Sequence, residues 1–165
     1  MRICHLLLTA NLLILLGGFS LPAHAAGGSI KVKSVAEVEI AVIGKDGKKE
    51  LKRSSPDKAV PGTEMIFTNT FENVSNKTAS DIVIDNPIPA NTEYRADSAF
   101  GKDCTILFSA DGGRMFGAAE NLKVKGADGK QRNALPGEYT HIRWIYKGQL
   151  VAGKSGEVGF RAVIK

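Results

Sequence analysis

From Ile30 to Val42 every second residue is apolar or small: Ile30, Val32, Ser34, Ala36, Val38, Ile40 and Val42, with Lys31, Lys33, Glu37 and Glu39 between them. A repeat of two belongs to an extended strand whose two faces meet different surroundings. A helix would instead bring residues three and four apart onto one face. The stretch predicts one long strand, buried along a single face. In the "GKDGKK" that follows, Asp46-Gly47 predicts a hairpin turn into a second strand ending near Arg53.

The same period recurs to the end of the chain. Thr63–Asn73 turns Met65, Phe67 and Phe71 to one side, and "DIVID" is a compact strand closed off by Pro87 and Pro89, which have no backbone N–H for a ladder. Short strands follow at Thr92–Arg95 and Cys104–Ser109. Leu122–Lys125 and Gln131–Asn133 pair as a hairpin across Ala127-Asp128-Gly129. Tyr139–Lys147 places Ile142, Trp144 and Tyr146 on one face, with His141 and Arg143 on the other. In the last strand Val158, Phe160, Ala162 and Ile164 alternate with Glu157 and Arg161. No stretch carries a helical stripe, and Gly, Pro, Asn and Asp punctuate the strands at short intervals. The expected fold is an all-β, antiparallel β-sandwich in one domain, with Phe67, Phe108, Trp144 and Phe160 in its core.

The first residues follow a different rule. A positive start, an almost wholly apolar run from Leu6 to Phe19 and then "LPAHAA" describe a secretory signal peptide, cut between Ala25 and Ala26. The run is too short for the roughly 20 residues of a membrane span. Residues 1–25 are thus expected to be removed, 26–60 to form the long strand and hairpin leading into the sandwich, and 61–165 to form its core. No transmembrane segment is expected after cleavage. Removal of Arg2 leaves 21 Lys and Arg against 17 Asp and Glu, dispersed along strand faces. Nucleic-acid binding would call for a concentrated basic patch with stacking aromatics, so it is not expected. Cys4 leaves with the leader, and Cys104 remains as the sole thiol. It is then either a buried hydrophobe, as its alternation with Ile106 and Phe108 suggests, or the donor of an intermolecular disulfide.

"SADGGRMFG", Ser109–Gly117, is the stretch most like a binding loop. A phosphate loop would need a following helix and a Lys-Ser/Thr pair; a calcium loop would need several carboxylates at alternate positions. Neither is present, so Asp111, Gly112 and Gly113 are expected to turn the backbone. Pro61-Gly62 is another turn.

Several of these residues fall in a familiar order. "PGTEMIFTNTFENVSNKTASDIVIDNPIPANTEYRADSA" resembles the bacterial conserved-repeat domain known as domain of unknown function eleven, through Pro61-Gly62, Asn69, Asn73, Asp85, Pro89, Tyr94 and Ser98. Ser109, Asp111-Gly112-Gly113, Arg143-Trp144 and Gly153 continue the likeness, which covers Pro61 to Lys165. The resemblance implies an immunoglobulin-like sandwich in exported proteins, periplasmic or at the bacterial cell surface, and implies no activity. This chain differs in being single-copy and in carrying the Ile30–Arg53 extension.

Chemistry finds little to work with. Without the leader, His141 is the only histidine and Cys104 the only cysteine, so a zinc site made of those two residue types cannot be assembled. No cofactor is expected. The reading is an exported non-catalytic module that binds another envelope or secreted protein or joins an assembly. The alternative is a carboxylate-based hydrolase or a calcium-binding module using Asp81, Asp85 and Asp97 at one loop end. An exchanged N-terminal strand, as in a pilus subunit, is disfavoured because Val158–Ile164 completes the domain.

Overall fold

The structure, a computed structural model, describes residues 23–26, 29–56 and 58–165. The expected leader, residues 1–25, lies outside the described residues up to residue 22, and its last three residues, together with Ala26, form strand β1 (Ala23–Ala26). Next come β2 (Ile30–Ile43), β3 (Lys49–Ser54), β4 (Glu64–Asn73), β5 (Ser80–Pro87), β6 (Thr92–Tyr94) and β7 (Phe100–Gly101). The chain continues through β8 (Cys104–Ser109), β9 (Lys123–Lys125), β10 (Gln131–Asn133), β11 (His141–Tyr146) and β12 (Ser155–Ile164). Short 3-10 turns occupy Ala119–Asn121 and Pro136–Glu138. Strand ends differ from expectation by a residue or two. β1 and β7 were not foreseen, because neither alternates. Among the described residues no helix is long and apolar enough to cross a membrane.

The strands form an antiparallel sandwich. One sheet runs β1-β5-β11-β8 and the other β3-β2-β4-β12-β6, with β7 also pairing β12; β9 and β10 make a separate hairpin. β12 therefore lies in the middle of its sheet, between β4 on one side and β6 and β7 on the other.

The alternation explains why these sheets face each other. Ile82 and Ile84 of β5, Ile142 and Trp144 of β11, and Val158, Phe160 and Ala162 of β12 are all fully buried between the layers. Burying each such side chain contributes about 1.5–3 kcal/mol. Aromatic rings pack together around this centre: Phe67, expected in the core but only partly buried, stacks on Phe160 at 5.0 Å, and Tyr139 lies 4.7 Å from Phe108. The Trp144 indole N–H donates to the Phe100 carbonyl at 3.0 Å, so the largest core side chain leaves no polar atom unpaired. A polar bridge also crosses the core, with Asn69 Nδ2 donating to Asn86 Oδ1 at 3.0 Å. Asn86 Nδ2 in turn donates to the Pro87 carbonyl at 2.7 Å, so both buried amide groups have partners.

Candidate interaction surface

The turn residues are committed to backbone geometry. Asp111 Oδ1 accepts from the Ser109 hydroxyl at 2.7 Å and from the amides of Arg114 and Met115 at 3.1 and 3.0 Å. Those donors, the Met115 amide foremost, hold the carboxyl below its ordinary range. Gly112 and Gly113 adopt φ of 78° and 81°, and the ring of His141 lies against Gly113. Gly62 has φ 88° and donates to the Ile164 carbonyl at 2.8 Å, tying the turn at Pro61 to the end of β12.

The other residues that carry the family resemblance are tied down in the same manner. Asn73, fully buried, donates to the carbonyls of Lys77 and Leu150 at 2.7 and 2.8 Å and accepts from Ser75, joining three segments. The Tyr94 hydroxyl accepts from the Ala99 amide, Ser98 Oγ accepts from the Arg161 amide, and the Pro89 carbonyl accepts from Thr92. Asp85 receives a bidentate pair of hydrogen bonds from Arg143 at 2.6 and 2.8 Å, and that guanidinium lies 3.8 Å from the centre of the Phe116 ring. These residues specify a framework.

The three aspartates weighed for an ion do not gather. Asp85 faces Arg143 in the middle of a ladder, Asp81 accepts from Ser80, and Asp81 and Asp97 both adopt positive φ, at 51° and 59°. Among the described residues, no three His, Cys, Asp or Glu side chains are grouped to hold a metal. An open groove of about 870 Å³ beside β6 is lined by Glu93, Arg95, Leu135, Glu138 and Lys165 among others. Glu138 is held there by Arg132 in a two-bond pair that lowers its carboxyl to about 2.

Cys104 opens β8, an edge strand, where like Ile106 it packs against the core cluster and is partly buried. Its thiol donates to the Lys102 carbonyl at 3.4 Å, and burial, helped by Asp103, raises its pKa. A protonated, half-covered thiol is a poor nucleophile. Native Cys104 should therefore react with a bulky maleimide at least about tenfold more slowly than the same residue in urea. Stopped labelling followed by mass measurement reads the two rates.

What stands apart from the framework is the far half of β2. Ile30–Glu37 pairs with β4 and belongs to the sandwich, whereas Val38–Ile43 pairs only with β3. Past Glu37 the sheet narrows to a two-stranded ribbon, closed by Gly47 at φ 76°. The alternation continues unchanged, but among the described residues no strand of the other sheet packs on it. Ile40, Ile43 and Leu51 are 43, 67 and 72% exposed. Leu51 sits across from Ala41 and diagonal to Ile43, so Ala41, Ile43 and Leu51 share one face, while Ile40, across from Lys52, lies on the other. Lys48, Lys49, Lys52 and Arg53 flank them, and β3 is the last strand of its sheet, so its outer edge has no neighbour among the described residues.

A lone hairpin is marginal in water, and this one is braced. Arg161 of β12 reaches across to Glu39 with bonds of 2.9 and 3.0 Å and to Glu64 at 2.9 Å, while Arg95 pairs with Glu64 at 3.2 Å. The Glu39 carboxyl is lowered chiefly by its bond from Arg161, with Arg53 adding to the effect. The brace ties the base of the arm to β12 and β4 of the sandwich. Alternation had identified the strand, but the arm's status depends on what lies opposite, which no single stretch of sequence encodes.

Comparison with family models, curated proteins and solved structures finds no match for this chain.

Proposed function

We propose that this chain is an exported, non-catalytic β-sandwich of the bacterial envelope or cell surface that binds another protein through the Val38–Ser54 arm. The carrying observation is an ordered hairpin with exposed Ile40, Ile43 and Leu51 beside an open strand edge. Apolar side chains held out in water by a braced ribbon are expensive unless a partner covers them. The mode that fits is strand addition along β3, in which the partner's backbone completes the ladder and its side chains meet the Lys49–Arg53 row. That row favours a partner segment carrying acids. The leader sequence and the resemblance to domain eleven support export and an immunoglobulin-like framework. The displaced carboxyls, Glu39, Asp111 and Glu138, all move downward, away from the raised value a general acid needs.

In-cell cross-linking of the exported fraction, with and without reductant, tests this reading. The double variant Ile43→Ser/Leu51→Ser should reduce a discrete cross-linked species at least about tenfold, while stability changes by no more than about 0.5 kcal/mol, as for exposed positions generally. An undiminished species removes the arm from the interface. A species that vanishes with reductant identifies Cys104 as the link instead.

A further inference from the structure

Ala23–Ala26 spans the expected cleavage point and is also the edge strand of a sheet. Ala23 pairs with Ile84, His24 with Val83 and Ala26 with Ser80, across a bulge at which Asp81 takes φ 51°. Ala23 and Ala25 pack against the core cluster that contains the fully buried Ile82 and Ile84. With β1 in place, β5 is an interior strand, flanked by β1 and β11.

A cut after Ala25 removes all of this but Ala26. The new terminus cannot refill the gap. Only Gly27, Gly28 and Ser29 separate Ala26 from Ile30, which is paired to Asn73 in the opposite sheet, and the Ser29 carbonyl already accepts from Val74. Three extended residues reach about 10 Å, which is about the spacing of two packed sheets. With Ile30 held in one sheet, a linker of that reach leaves no residue of the mature chain to take the places of Ala23–Ala25 on the other.

We propose that leader removal converts β5 into an acceptor edge, and that its occupant is an extended segment of a different protein. That segment runs antiparallel to β5 and bears small apolar side chains two residues apart. The seated Ala23 and Ala25 define that chemistry. The backbone of Ser80–Ile84 supplies the ladder, and the slots beside Ile82 and Ile84 admit methyl-sized groups, because larger ones would overpack a filled core. This inference rests on the export reading and concerns an edge in the opposite sheet from the arm.

The test uses the mature protein purified from the exported fraction, its N-terminus read by mass spectrometry, and a fluorescent peptide of residues 19–26, Phe-Ser-Leu-Pro-Ala-His-Ala-Ala. With the terminus at or beyond Ala26, anisotropy should show saturable binding. The peptide carrying Ala23→Phe and Ala25→Phe should bind at least about tenfold more weakly. A correctly cut protein that ignores the peptide, or binds both peptides alike, overturns the acceptor edge and leaves export standing. A terminus upstream of Ala23 overturns the leader reading as well, since β1 is then retained. A mature dimer that the peptide converts to monomer shows the occupant to be a second copy and overturns the assignment to a different protein.

Discussion

Trp144→Ala should lower the unfolding free energy by about 4 kcal/mol, within the range for deleting a buried large aromatic. The indole is fully buried at the centre of β11, between Ile84 of β5 and Ile106 of β8 in the ladder, and its ring centre lies 6.3 Å from that of Phe160. Truncation opens a void that rigid sheets on both sides cannot close. It also strands the Phe100 carbonyl, which loses its N–H donor at 3.0 Å. Trp144→Phe keeps most of the volume and loses only the donor, so it should cost less than half as much. Urea unfolding followed by circular dichroism measures both. Equal losses for the two variants would mean that the hydrogen bond, and not the packing, dominates.

Gly159→Ala should cost about 3 kcal/mol, at the upper end for overpacking. Gly159 pairs with Thr68 on β4 and Phe100 on β7, so it stands between two strands. A methyl group there would run into the Phe67 carbonyl oxygen and come within 2.6 Å of the Phe100 ring. The carbonyl belongs to the ladder and cannot swing aside as a flexible side chain would. Gly129→Ala is the control: φ is 77° at a hairpin tip with nothing within 4 Å of the new methyl. Its cost of about 1 kcal/mol comes from backbone conformation alone. If the two substitutions cost the same, the proximity at Gly159 is being relieved by a shift of the strands.

Most of the framework can be read from the chain, because burying one face of a strand writes a period of two into it. Val158, Phe160, Ala162 and Ile164 are buried as that period requires. Ala-His-Ala-Ala carries no such mark, and its small residues read as a cleavage site when they also form β1. Phe100–Gly101 is too short for any period, yet it covers Gly159 and receives the Trp144 bond. The arm is the instructive case. Val38, Ile40 and Val42 continue the pattern of Ile30 to Ala36 without a break, but β4 stops accompanying β2 after Glu37. Whether an apolar stripe is core or contact surface depends on a neighbour distant in sequence. Cys104 follows its parity onto the core cluster beside Ile106, and its place at the start of an edge strand leaves it only partly covered.

The position of β12 governs when the molecule can acquire its shape. β4, β6 and β7 leave the ribosome before their common neighbour exists, and none of them pairs with another. Until Ser155–Ile164 has been synthesised, Phe67 has no Phe160 to stack on, and the six-stranded sheet lacks its middle. Contacts this far apart in sequence also form slowly. The pairs of β2 with β3 and β4, and the whole opposite sheet, can form earlier, but β6 and β7 have no ladder and the core stays uncovered on that side until the final strand is made.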